Sequence, residues 1–304
     1  MPYTVPRVQI VPQPDDQVSF QVAGRERLRW HAPPRYRRPF FFPVVGPLGR
    51  SLTRMGHPAA PDHDHHRSFW WGHNSVGGVD FWSETPGTQQ IRQEVWVHYQ
   101  DSADEAAIVV RLGWFDAHKV RLMQQDLIAV YRPLDHDEGW IELQTRFVPT
   151  MDELTLGKSN FGLLGLRVAA SMSAQYGGGR LRNSTGGIGE PAVFAKPAAW
   201  MDYSGPIDGD RWEGITWFDH PSNPGAPVSW HVRDDGWMSP AFTLRDAYVL
   251  KKTAPLTLRY GLHVHAGDVD AKRAAGHQAV FAAAPSWELV AARRPWRVHL
   301  RRKS

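Results

Sequence analysis

The chain has 304 residues, a formal net charge of +4 and no cysteine. That composition excludes disulfides, thiolate metal ligands and a cysteine nucleophile. No apolar run reaches the roughly 18 residues a membrane-spanning helix needs. The start, MPYTVPRVQIVPQPDD, lacks the charged-then-apolar pattern of a secretion signal, so the simplest expectation is a cytoplasmic protein.

The positive charge is local. The last twelve residues, RRPWRVHLRRKS, hold six Lys/Arg and no acid; without them the count is 29 basic to 31 acidic. A basic end of this kind reads as a solvated tail over 291–304, and no nucleic-acid or membrane partner is expected.

In chain order, period-two segments predict strands at VSFQV (18–22), QEVWVHY (93–99), AAIVVRLGWF (106–115), QDLIAVY (125–131), GWIELQTRFV (139–148), GITWF (214–218) and LTLRYGLHVHA (256–266). The first thirty residues read as an extra hairpin, and QYGGGRLRNSTGGIGE (175–190) as a surface loop or hairpin able to act as a lid. One helix is predicted, DVDAKRAAGHQAVFAAA (268–284), with Asp270 as its cap. Many strands, hardly any helix, 24 prolines and 27 glycines predict an all-β fold, a large antiparallel β-sandwich forming one domain over 1–290.

Chemistry-bearing residues concentrate in DHDHHRSFWWGHNSVGGVDFW (62–82). If 65–73 is extended, one face carries His65, Arg67, Phe69, Trp71 and His73, and the other His66, Ser68, Trp70 and Gly72. The first face mixes imidazoles, a guanidinium and an indole, which suits a pocket wall better than a core face; a solvated sheet edge is the bland alternative. In VSWHVR, His231 and Arg233 share a face, a proton carrier beside an anion holder. In LHVHA, His263 and His265 point one way and could join His63 and His65 as ligands of a divalent metal. Paired carboxylates are lacking, which argues against a two-carboxylate glycosidase.

The succession RPFFFPVVGPLGRSLTR, DHDHHRSFWWGHNSVGGVDFW, GKSNFGLLGLRVAASM, WMDYSG and GITWFDHPSNPGAPVSWHVR resembles the PmoA-like family from about residue 37 to about 266. The DHxHHR and DHPxNPxxPxxWHVR segments are its specific parts. The resemblance implies a galactose-mutarotase-like supersandwich with a carbohydrate-binding concave face. It marks Asp62, His63, His65, His66, Arg67, His73, Asn74, Asp80, Trp82, Lys158, Arg167, Asp219, His220, His231 and Arg233. The chain departs from that pattern at Leu156-Gly157-Lys158-Ser159-Asn160, where the family's acids are missing. The family's methane-oxygenase label implies a membrane copper enzyme, which a chain without a membrane span does not match.

The reading that follows is a carbohydrate-processing enzyme of epimerase, mutarotase or lyase type, acting on a small-molecule sugar without a required cofactor. His65, His66, His73, His220 and His231 are its acid–base candidates, and Arg67, Arg233 and Lys158 its anion holders. Trp71, Asn74, Asp80, Trp82 and Arg167 would contact substrate. A metal-dependent lyase or hydrolase and a non-catalytic sugar-binding protein are the alternatives.

Overall fold

The computed structural model describes residues 5–57, 63–84, 89–291 and 298–304. Its strands are β1 (Val8–Gln13), β2 (Gln17–Val22), β3 (Arg25–His31), β4 (Phe40–Val44), β5 (Phe69–His73), β6 (Gln90–Gln100), β7 (Ala106–Phe115), β8 (Arg121–Pro133), β9 (Gly139–Pro149) and β10 (Glu153–Leu156). They continue with β11 (Gly162–Arg167), β12 (Arg180–Asn183), β13 (Trp200–Asp208), β14 (Arg211–Asp219), β15 (Trp230–Arg233), β16 (Trp237–Pro240), β17 (Tyr248–Lys251), β18 (Leu256–Ala266), β19 (Trp287–Ala291) and β20 (Val298–Arg302). Short helices α1 (Ala174–Gly177) and α2 (Glu190–Val193) precede one longer helix, α3 (Ala271–Ala283).

Two antiparallel eight-stranded sheets dominate. The first runs β1-β2-β3-β4-β5-β11-β16-β15, the second β12-β13-β14-β18-β9-β8-β7-β6. The all-β antiparallel sandwich expected from the periodicity is the observed architecture. The N-terminal hairpin is not an appendage: β1 to β3 pair in register into the first sheet.

Alternation along each strand decides what the sheets bury between them. On β18 Leu256, Leu258, Tyr260, Leu262 and Val264 enter the shared core, while Arg259, His263 and His265 point to the far side. On β5 Phe69 and Trp71 enter the core; Trp70 faces out and joins Phe40, Trp82 and Trp237 in a separate aromatic cluster.

The outer face of the second sheet is covered. Ala274 and Phe281 of α3 pack on Trp140, Trp200 and Phe218. Asp270 caps α3, its Oδ1 accepting from the backbone N–H of Lys272 (2.8 Å) and Arg273 (3.0 Å). Trp287 and Leu300 of the β19–β20 hairpin cover Ala107, Val109, Ile128 and Val130. Within the segment expected to be a solvated tail, Val298–Arg302 therefore forms a strand. Its Arg302 lies 3.9 Å over the Trp287 ring and donates to Glu142, so part of the basic charge is structural. Among the described residues no helix is long and apolar enough to cross a membrane.

Candidate functional site

The outer face of the first sheet carries its own cluster of His, Arg and Trp side chains, separate from the cluster covered by α3 on the second sheet. Two glycines make this possible. Gly165 of β11 pairs with Trp70 of β5, and a Cβ on it would fall 2.0 Å from Cη2 of Trp237. The missing side chain lets that indole lie on the sheet. At Gly72 a Cβ would meet Arg38 Nη1 at 2.8 Å. Arg38, 2 % exposed, donates from there to the carbonyls of Phe81 (2.7 Å) and Trp82, fixing the turn that presents the Trp82 indole. Burial lowers the Arg38 pKa to about 10, which still leaves it charged at neutral pH.

The three indoles pack together: Trp70–Trp237 5.2 Å, Trp82–Trp237 5.3 Å and Trp70–Trp82 5.7 Å between ring centroids. His66 lies against two of them, 5.1 Å from Trp70 and 5.3 Å from Trp237, near-parallel to both. His65 stands 4.4 Å and His63 4.8 Å from His66, edge to face. Adjacent histidines reach the same place because the chain is not extended there. Ser68 has φ +59°, and His66 N–H donates to His63 O (2.9 Å) in a turn.

Arg167 ends β11 and sets the state of His66. Its Nη2 donates to His66 Nδ1 (2.7 Å). A guanidinium only donates, so Nδ1 must hold the lone pair and Nε2 the proton. Burial, followed by the charge of Arg167, drives the His66 pKa down, and the ring is neutral. Arg167 is in turn held by Asp235, Nη1 to Oδ1 at 2.5 Å, and the other carboxylate oxygen accepts from His57 Nε2 (3.1 Å). Asp235 thus anchors the guanidinium that orients His66.

His231 approaches the same Trp237 from β15, at 5.9 Å between rings. Its Nδ1 is 2.8 Å from the Asn160 carbonyl and 3.1 Å from Trp237 Nε1. One nitrogen cannot donate to the first and accept from the second. The shorter contact is to a group that can only accept, so we assign the proton to Nδ1. Nε2 then holds a lone pair, and it has no partner among the described residues. Burial lowers the His231 pKa to about 4, so this ring too is neutral at pH 7. Arg233, two residues on, donates to Glu190 Oε1 (2.7 Å) and lies 4.6 Å over Phe194.

The sequence candidates brought together are His63, His65, His66, Trp82, Arg167, His231 and, at the margin, Arg233. Others lie elsewhere. Trp71, expected to stack on a sugar, is 1 % exposed in the inter-sheet core against Phe147 and Tyr260, because the odd positions of β5 face inward. His73 is fully buried, its Nδ1 hydrogen-bonded to Phe161 O (3.1 Å). Asn74 donates its backbone N–H to the same carbonyl.

Arg67 forks onto the Glu84 carboxylate and covers Tyr36 at 4.7 Å, so its charge is already matched. Asp80 accepts from the backbone N–H of Trp82 (2.6 Å) and Ser83 (3.2 Å), a turn-forming role. Lys158 is exposed in the β10–β11 loop, beside Asn160 and Phe161 that border the site.

His220 sits beyond the second sheet, its Nε2 2.9 Å from Arg259 Nη1 and its ring 4.8 Å from Phe281 of α3. Its DHPSNP segment is structural: Asp219 accepts from Val228 N and Asn223 Nδ2, and Asn223 bridges to the Arg259 backbone. His263 and His265 pair with Glu138 (2.8 Å) and Asp202 (2.9 Å) on the face under α3. They cannot share a centre with His63 and His65, which belong to the other sheet's outer face. Among the described residues no group of three or more His, Asp or Glu is arranged to hold a metal ion. Asp62 lies outside the described residues.

Trp70, Trp237, Asp235 and His57 were missed. The even face of the expected 65–73 strand offered the signal for Trp70, since it also carried His66; Asp235 and His57 follow no spacing rule.

A family of unknown function designated DUF6807 matches the chain over residues 17–279. The PmoA-like resemblance has no counterpart in that match. No curated protein matches in sequence. Among solved structures the chain is similar to a "Putative aldose 1-epimerase" from Escherichia coli K12, at 12 % identity and TM-score 0.39, over 86 % of this chain and 99 % of that one. It is also similar to an aldose epimerase homologue from C. elegans, at 8 % identity and TM-score 0.30, over 86 % and 99 %.

Proposed function

The chain belongs to the DUF6807 family, whose function is unknown, and from its own side chains we propose that it processes a carbohydrate by imidazole chemistry of the mutarotase, epimerase or lyase type. One observation carries this reading. Two neutral histidines, His66 and His231, touch the same indole, Trp237, with opposite proton placement. His66 offers an Nε2–H; His231 offers an Nε2 lone pair.

Such a pair divides the work at a sugar. His231 takes a proton, either from an anomeric hydroxyl or from a carbon beside a carbonyl. His66 donates a hydrogen bond to the oxygen that gains charge, the ring oxygen in the first case and the enolate oxygen in the second. In ring opening the C–O bond breaks and His231 returns its proton to the ring oxygen. In elimination the proton goes to the departing oxygen. Indole faces suit the apolar face of a sugar ring.

His66 and His231 are 5 % and 3 % exposed, so the proposal requires a covering segment to part. The Lys158–Phe161 loop suits that role. Phe161 at its end is 39 % exposed, yet contacts both Trp82 (5.5 Å) and His231 (5.6 Å).

The test is an NMR screen of monosaccharides, keto-sugars and sugar acids in D₂O, run with the parent protein and with His231→Gln. The expected result is accelerated anomeric exchange, deuterium incorporation or elimination for one sugar class, reduced on the order of 10²-fold or more in His231→Gln. Turnover that His231→Gln leaves intact would contradict the assignment. Binding without turnover of any sugar would favour a non-catalytic carbohydrate-binding protein.

A further inference from the structure

The β15–β16 hairpin continues past His231. Its same-face pairs are Arg233 with Trp237 and His231 with Ser239; the next is Ser229 with Ala241, joined by a 3.0 Å backbone hydrogen bond. Each such step advances about 6.8 Å along the strand, so the Ser229 position adjoins that of His231. Ser229 and Ala241 line a cleft of about 310 Å³ together with Pro227, Phe242 and Tyr248, and its charged members are Arg245 and Asp246. Phe242 and Tyr248 are 5.1 Å apart and tilted 58°, offering an aromatic wall. Arg245 donates from Nε to Ser229 Oγ (2.9 Å), which fixes the guanidinium. Its terminal nitrogens have no hydrogen bond or ion pair among the described residues.

We propose that this cleft is a second sugar subsite, taking a carboxylate-bearing ring joined to the ring at His231. The reading rests on the carbohydrate site proposed above. The aromatic wall and proline-rich rim fit a ring face. A guanidinium tethered through Nε presents its two terminal nitrogens side by side, a geometry that matches a carboxylate. The preferred substrate is then an acidic disaccharide or longer glycoside, not a free neutral hexose.

The experiment is calorimetric titration of the full chain with glucose, glucuronate and galacturonate, and with disaccharides carrying a uronate at either end. Parent, Arg245→Gln and Tyr248→Ser are compared. Uronate disaccharides are expected to bind at least tenfold more tightly than any monosaccharide. That preference is expected to fall about tenfold in Arg245→Gln and to shrink in Tyr248→Ser. If monosaccharides bind but disaccharides bind no more tightly, the second subsite is wrong while the carbohydrate reading stands. A disaccharide preference unchanged in both variants likewise overturns it. If no sugar binds in any arm, the carbohydrate reading itself fails, and this subsite with it.

Discussion

Replacing Gly165 by alanine tests whether Trp237 is wedged as described. The new Cβ would fall 2.0 Å from Cη2 and 2.8 and 2.9 Å from two further carbons of the indole. Carbon atoms settle near 3.5–4.0 Å, so the ring would have to retreat by about 1.5 Å. It cannot do so freely, because Trp70, Trp82, His66 and His231 surround it. Overpacking of this sort costs about 1–3 kcal/mol, and each kcal/mol lowers the melting temperature of a large domain by about 2–4 °C. Differential scanning calorimetry should show Gly165→Ala melting several degrees below the parent. Near-ultraviolet circular dichroism should change at the tryptophan bands. Trp237→Leu alone should also destabilise, by loss of packing. The double variant should be less destabilised than the two single losses combined, by about 1–3 kcal/mol, since the smaller side chain vacates the space the methyl needs. Strict additivity, or a Gly165→Ala protein as stable as the parent, would refute the wedged indole.

Two more outcomes follow from buried charge and proton placement. His231 and His263 are each lowered to about 4, first by burial, while an unfolded histidine titrates near ~6.5. Below ~6.5 the unfolded chain gains protons that these folded rings refuse, so stability should fall from pH 7 toward pH 4 and level off below. At pH 5 the loss is about 2 kcal/mol for each ring, partly offset by groups shifted the other way; equal melting temperatures at pH 7 and 5 would contradict it. Asp235→Asn should destabilise by about 3 kcal/mol, since Arg167 beside it is 2 % exposed and loses its carboxylate. The same change should loosen the tautomer of His66, seen as mixed Nδ1–H and Nε2–H signals in ¹⁵N NMR; a single unchanged tautomer would show that Asp235 does not position Arg167.

The sheets were legible because period two survives wherever one sheet face meets the core. β7, β9 and β18 fall where the alternation placed them, and Asp270 caps α3 as expected. The site was legible by composition, less so by geometry. FWW at 69–71 puts large apolar rings on both faces of β5, so hydrophobicity could not say which face turned inward. The left-handed Ser68 also ended the extended stretch that had set Arg67 and His65 in line with Trp71. His220, His263 and His265 show the opposite failure. They are histidines of the expected kind whose partners, Arg259, Glu138 and Asp202, come from segments distant in the chain that no local spacing reveals. Asp235 was hidden for the same reason, since its role depends on β11 lying beside β16.

The most direct test of the account is to follow indole and imidazole ¹⁵N–¹H signals while a uronate or hexose is titrated into the full chain. Shifts centred on Trp237 Nε1, His66 Nε2 and the Phe161 loop, with His263 and His265 unmoved, are what the account predicts. Shifts confined to the α3 face, or a saturating sugar that leaves Trp237, His66 and His231 undisturbed, would contradict it.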